Sequence, residues 1–192
     1  MLLARHAQSH FNLHFGRHRR DPGIVDPPLT KAGRRQAEEL ADALAGQSVS
    51  RLIVSPYHRT LETAEIVNRR LKLPISVEQL VGERAFFHCD IGTSRRALER
   101  RWPDHDFGDL EEIWWLPLEE TEASLTARSQ AFRTKMREGE DWGGALVITH
   151  WGFIRALTGH EVGNCQVVSC NPLDSHPEVP SMGPLIPAVQ TP

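Results

Sequence analysis

A strong charge of either sign is missing from this chain of 192 residues: 22 Lys and Arg stand against 25 Asp and Glu, a formal net charge of -3. Nucleic-acid binders carry a pronounced basic excess, so no nucleic-acid partner is expected. Long apolar runs are missing too; none could span a bilayer, so no membrane partner is expected. The opening residues, Met1-Leu2-Leu3-Ala4-Arg5-His6, have neither a basic lead nor an extended apolar core, so a secretory leader is not expected. Cysteine is scarce and odd in number: Cys89, Cys165 and Cys170, with no C-x-x-C spacing. That is no disulfide framework. A Cys165–Cys170 bridge fits the sequence, but buried free thiols fit better, and they place the chain in a reducing compartment, the cytoplasm.

What is present suits one ordinary globular domain. Hydrophobic residues make up 40% and charged residues 24%, and the length provides one core but is short for two. Leu2 to Ala4 reads as a short buried strand ending in Arg5-His6. The polar stretch from His10 to Pro28, with Gly16, Gly23 and three prolines, reads as a loop. Thr30 looks like the N-cap of a helix through Leu44. Arg51 to Pro56 predicts a strand, Tyr57 to Leu71 a helix and Ile75 to Val77 a third strand. The middle, Glu78 to Thr121, is irregular apart from a short helix over Arg95 to Arg101. A long helix is expected from Thr121 to Glu138, then a strand at Gly144 to Thr149, a helix through Thr158 and a last strand at Gln166 to Ser169. Residues 171–192 hold six of the 13 prolines and no Lys or Arg. They read as a disordered or loosely draped tail after a domain of residues 1–170.

Strands alternating with helices predict an α/β fold, a mostly parallel sheet covered on both faces. In such sheets the site lies at the carboxyl ends of the strands. That rule singles out Arg5 and His6, the segment from Ser55 to Arg59, and His150. Two arginines and two histidines in one crevice would make a dianion pocket. The guanidinium fork gives paired charge-assisted bonds to phosphate oxygens, and a neutral imidazole is a competent nucleophile toward phosphorus. A leaving alkoxide needs a proton, for which Glu83 is the best-placed acid, with Glu78 as its competitor.

The segment Arg5-His6-Ala7-Gln8-Ser9-His10-Phe11-Asn12 resembles the R-H-G-x-S-x-x-N signature of the histidine phosphatase superfamily, which includes the cofactor-dependent phosphoglycerate mutases. Asp26-Pro27-Pro28-Leu29-Thr30-Lys31-Ala32-Gly33 followed by Gln36-Ala37 is similar to its D-x-x-L-T-x-x-G-x-x-Q-A helix start. Ser55 through Ala64 resembles its S-P-x-x-R-x-x-x-T-A stretch, and Val147 to His150 its second-histidine strand. The matches run in family order up to about Ser169. The resemblance implies a three-layer α/β/α sandwich of phosphoglycerate mutase type. It implies a phosphatase in which His6 becomes phosphohistidine. Arg5, Arg59 and His150 would bind the phosphoryl oxygens, Asn12 would add a donor, and Glu83 would act as general acid and base. It implies a small phosphorylated substrate and neither metal nor organic cofactor. A mutase-type phosphoryl transferase is the alternative within the family, and a non-catalytic phosphate-recognising module the alternative outside it. Two departures stand out: Ala7 replaces the usual glycine, harmless unless the backbone needs a positive φ, and Trp151 follows the second histidine where a small residue is common.

Other patterns have readings of their own. His6, His10, His14 and His18 recur every four residues and would form a metal-binding face on a continuous helix. A strand running into His6 and the interruption at Gly16 argue against that helix. Arg17, Arg19 and Arg20 form a basic loop that could gather an anionic substrate. Trp114 and Trp115 could form a lid, though ordinary packing is favoured. Cys89 has no evident activating partner and reads as structural. Oligomeric state is not legible.

Overall fold

A computed structural model describes residues 1–139 and 141–178. The chain order is β1 (Leu2–Arg5), α1 (His10–His18), α2 (Lys31–Leu44), β2 (Arg51–Val54), α3 (His58–Leu71), β3 (Ile75–Val77), α4 (Arg95–Arg101), α5 (Glu122–Glu138), β4 (Ala145–Thr149), α6 (Trp151–Thr158) and β5 (Val167–Ser169). The five strands form one sheet in the order β3-β2-β4-β1-β5. All neighbours are parallel except β5, which runs antiparallel to β1.

Alternate side chains of each strand fall on opposite faces. Ala4, Leu52, Val54, Leu146 and Ile148 pack with α2, α3 and the 98–114 segment. Leu3, Ile53, Ala145 and Val147 pack on the other side with α5 and α6. The central strands are buried on both faces, which is why they read as continuous apolar runs, and the result is the three-layer sandwich expected.

Local signals explain the helix starts. Thr30 Oγ1 accepts from Gly33 N at 2.9 Å and Thr121 caps α5 through Ser124 N. Tyr57 offers no cap to α3; instead Asp26, at φ 39, reaches across so that His58 N donates to its Oδ1 at 2.9 Å. Asp26 Oδ2 accepts from Thr93 N as well, so one buried carboxylate ties the start of α3 to the irregular middle segment.

One expectation fails: the His10–Pro28 stretch is not all loop, because His10–His18 is helical. Ser9 and Asn12 form a capping box there, Ser9 Oγ accepting from Asn12 N and Asn12 Oδ1 accepting from Ser9 N. Phe11 and Phe15 then pack on Phe87. Gly16 points into open space, so it costs the helix only its weak propensity. His10, His14 and His18 do share one exposed face, but His6 lies off the helix at the end of β1. Eight residues of helix separate His10 from His18 by about 12 Å, too far for three imidazoles on one ion. Among the described residues no group of three or more His, Cys, Asp or Glu is gathered around a common point.

The three cysteines are free thiols. Trp114 is buried, its ring edge-on to Tyr57, and its Nε1 donates to Thr93 O at 2.8 Å, the packing role. The proline-rich tail begins in contact with the domain. Arg133 Nη1 donates to the carbonyls of Asn171 and Asp174, and Ser129 Oγ meets His176 Nε2 at 3.1 Å. The rest of the tail, 179–192, lies outside the described residues.

Gly33 is a glycine because of one close approach: a Cβ there would overlap the Gln8 carbonyl. Gln8 O already accepts from Thr30 N at 3.0 Å, which pins the chain after β1 against the start of α2. In an open helix Gly→Ala stabilises; here overpacking should dominate, at about 1–3 kcal/mol. Gly33→Ala is therefore expected to lower Tm by roughly 2–4 °C per kcal/mol lost. An unchanged or raised Tm by calorimetry would contradict this packing.

Candidate active site

Strand register assembles the site. Arg5 pairs with Thr149 across β1 and β4, so the next residues, His6 and His150, leave the sheet side by side. His6 N donates to Thr149 O at 2.8 Å, and the two rings meet edge-on with centroids 5.1 Å apart. On the other side of β4, Ser55 N donates to Ile148 O, which sets Ser55 beside the same edge. Arg59 follows on the first turn of α3. The three strand ends picked out from the sequence therefore meet at one place.

Arg59 is almost fully buried at 3% exposure, and every nitrogen of its guanidinium is held. Nε donates to His150 Nδ1 at 3.3 Å, Nη1 to Cys89 O at 2.7 Å, and Nη2 to Asp90 Oδ1 at 3.0 Å. The face of the group lies over the Tyr57 ring, 4.4 Å from its centroid. Because guanidinium only donates, His150 Nδ1 must accept, and the ring proton sits on Nε2. That Nε2 lies 2.8 Å from Ser55 Oγ.

The same reasoning fixes His6. Its Nδ1 is 2.7 Å from the Ala7 carbonyl. A carbonyl only accepts, so Nδ1 carries the proton and Nε2 keeps its lone pair. Burial first, then the charges of Arg59 and Arg5, push the pKa of His6 well below the ordinary 6.5. Burial and Arg59 do the same to His150. Ala7 is fully buried, its N donates to Thr63 Oγ1 at 3.1 Å, and its φ is not positive, so the extra methyl is tolerated.

His6 and Arg59 open onto a cavity of about 380 Å³, whose polar end is lined also by Arg5, Asn12 and Glu83. Arg5 Nη1 donates to Val162 O, while its buried Nε has no hydrogen-bond partner among the described residues. Asn12 Oδ1 is taken by Ser9 and by Asn164 Nδ2, which leaves the Asn12 amide nitrogen as its donor. Glu83 Oε1 accepts from Gly152 N and from Arg84 N, each at 2.9 Å, and so caps the start of α6. Burial, and after it the neighbouring Asp90, raise its pKa above the usual 4.5. A Cβ on Gly152 would overlap that same carboxylate oxygen. Glu78, its rival, is elsewhere: it accepts from Leu80 N and pairs with Lys135.

His150 does not line the cavity. It is fully buried behind Arg59 and His6, and its ring meets those two, Ser55 and the edge-on ring of Tyr57. Of the basic residues near the start of the chain, Arg19 lines the cavity, whereas Arg17 and Arg20 do not. Cys89 lines it too, but burial pushes its thiol well above the usual 9.0, consistent with a structural role.

The sequence reading missed two residues. Asp90 lies in the irregular middle segment and joins Arg59 to the Phe86 and Phe87 amides, which both donate to its Oδ2. Asn164, from the loop before β5, donates to His6 O at 2.9 Å. Trp151 and Gly152 also line the cavity, so the indole stands at its edge.

Comparison with known proteins shows the family. The family model described as histidine phosphatase superfamily (branch 1) matches residues 1–166, and the chain belongs to that superfamily. An uncharacterized phosphatase, PhoE, of Bacillus subtilis is 30% identical over 155 residues, covering 81% of this chain and 73% of that protein. A probable phosphoglycerate mutase, GpmB, of Photorhabdus laumondii is 35% identical over 141 residues, covering 73% of this chain and 51% of that protein. The solved ecdysone phosphate phosphatase, EPPase, from Bombix mori aligns over 94% of this chain and 95% of its own with a TM-score of 0.64 at 17% identity. That likeness is one of fold.

Asp90→Ala tests the buried ion pair. Removing one partner leaves the Arg59 charge unpaired in a dry place, so stability to urea should fall by about 3–5 kcal/mol. A loss below about 1 kcal/mol, the range of surface pairs, would show that Asp90 does not hold Arg59.

Proposed function

We propose that the chain hydrolyses phosphate monoesters in two displacements through a phosphohistidine on His6. The observation that carries this reading is the Ala7 carbonyl fixing the His6 proton on Nδ1, which leaves Nε2 bare in a cavity shared with Arg5, Arg59 and Glu83. In the first step Nε2 attacks phosphorus, the P–O ester bond breaks, and the leaving oxygen takes the proton of Glu83. In the second, the Glu83 carboxylate takes a proton from water, the water oxygen attacks phosphorus, the P–N bond breaks and inorganic phosphate departs. In this reading Arg5, Arg59 and the Asn12 amide meet the equatorial oxygens, where catalysis of this reaction is chiefly positioning and charge stabilisation. His150 keeps Arg59 and His6 in place.

Glu83 fits the acid role because its raised pKa keeps more of the protonated form as the pH rises. The phosphoryl transferase reading draws on relatives named as probable phosphoglycerate mutases, and it is tested by offering phosphoglycerate and following its isomer against free phosphate. Release of phosphate alone supports the hydrolase.

Two results are expected. His6→Ala should abolish turnover of an aryl phosphate, and rapid acid-free quenching of the wild type should trap label on His6. Full activity in His6→Ala would remove the nucleophile. The pH dependence follows from the signs. His6 acts deprotonated, so its lowered pKa moves the acid limb of kcat/KM below pH 6.5. Glu83 acts protonated, so its raised pKa moves the alkaline limb above pH 4.5. Glu83→Gln should lose that alkaline limb and slow alkyl esters by about 10²–10⁴-fold, with less effect on nitrophenyl phosphate, whose leaving group needs no proton. An acid limb centred at or above 6.5 would contradict the assignment.

A further inference from the structure

Four of the chain's seven phenylalanines line this one cavity. Phe11 and Phe15 stand one turn apart on α1, and Phe86 and Phe87 come from the segment after Glu83. Their rings form a continuous wall: Phe11 touches Phe15 and Phe87 at centroid distances of 5.2 Å, Phe15 meets Phe87 at 5.1 Å, and Phe86 meets Phe87 at 5.2 Å. Phe15, Phe86 and Phe87 are only half-buried, so ring surface remains open. Arg19 and Arg84 lay their guanidiniums over Phe15 and Phe86, 5.8 and 5.5 Å from the centroids. The wall is prebuilt, because the Phe86 and Phe87 amides are fastened to Asp90 Oδ2 and the same carboxylate holds Arg59.

The division of the cavity follows. Its hydrogen-bonding side chains, other than Arg19, Arg84 and Trp151, belong to the phosphoryl end. The leaving group of a bound ester would extend along phenyl faces, with the Trp151 indole also on the lining. Sugar hydroxyls placed there would give up water against phenyl faces, with only the Arg19, Arg84 and Trp151 side chains to meet them. A flat apolar group would bury area against the rings and stack on them.

We propose that the substrates are phosphate monoesters of alcohols carrying a flat aromatic or polycyclic apolar group, bound with that group on the Phe15–Phe87 wall. This rests on the phosphatase reading above and adds the leaving-group class to it. Leaving-group acidity must be kept out of the test, so the esters compared are all of primary alcohols: naphthylmethyl phosphate, ethyl phosphate and glucose 6-phosphate. With the full chain, kcat/KM for naphthylmethyl phosphate should exceed the other two by at least tenfold, chiefly through KM. Phe15→Ala and Phe87→Ala should each cut the naphthylmethyl-to-ethyl ratio by fivefold or more. Phe15→Leu, which keeps apolar volume without a ring face, should lower it less. Turnover of all three esters with no naphthylmethyl preference, or an undiminished ratio in both alanine variants, overturns this inference alone. No turnover of any ester overturns it together with the phosphatase reading.

Discussion

Arg59 is a cation held almost wholly out of water, and the rest of the site is arranged around that burden. Burying a charge is tolerated only when it is paired and its donors are used. Asp90 supplies the opposite charge, Cys89 a carbonyl and His150 a ring nitrogen. Cys89 and Asp90 are neighbours in the middle segment, and His150 ends β4. Asp26 adds the cap that fixes the start of α3, and the Tyr57 ring covers the guanidinium face. The positive charge is thereby fixed in place on the cavity lining before any ligand arrives.

The same burial sets the chemistry of the histidines. Two imidazoles beside two guanidiniums in a dry place cannot readily take up further protons. Ala7 O then decides which nitrogen of His6 carries its single proton. Parallel pairing of β1 with β4 brings the two rings together, so the reactive tautomer is a consequence of sheet register as much as of local sequence. Glu83 belongs to the opposite case, a carboxylate whose burial favours the neutral form while the Gly152 amide at the start of α6 and the Arg84 amide hold it still.

Much of this was legible in the chain. Short apolar runs at Leu2, Arg51 and Gly144 gave the strands, and the strand-end rule gave Arg5, His6, Arg59 and His150. Thr30 and Thr121 marked helix starts because their hydroxyls do so in the structure. The failures have physical causes. The α1 helix was hidden by Gly16 and by prolines that all lie beyond its end, while its Ser9–Asn12 cap used Asn where Glu or Gln is the commoner signal. Asp90 and Asn164 sit in irregular segments, where hydrogen bonding depends on tertiary placement that periodicity does not carry. The wall of phenylalanines was invisible for the same reason: Phe11 and Phe15 lie about 70 positions from Phe86 and Phe87 in sequence, and only folding makes them one surface. His150 stands at the same strand edge as His6, but behind Arg59 and His6 rather than on the cavity lining expected for it.

The central claim is that His6 rests as a neutral imidazole with its proton on Nδ1. Nitrogen-15 NMR of histidine-labelled protein, with His6→Gln used to assign the resonance, reads tautomer and charge directly. The account predicts a protonated Nδ1 and a bare Nε2 that persist on acidification through pH 6.5, the ordinary midpoint for the side chain. An imidazolium at that pH, or a proton found on Nε2 in the neutral ring, would contradict it.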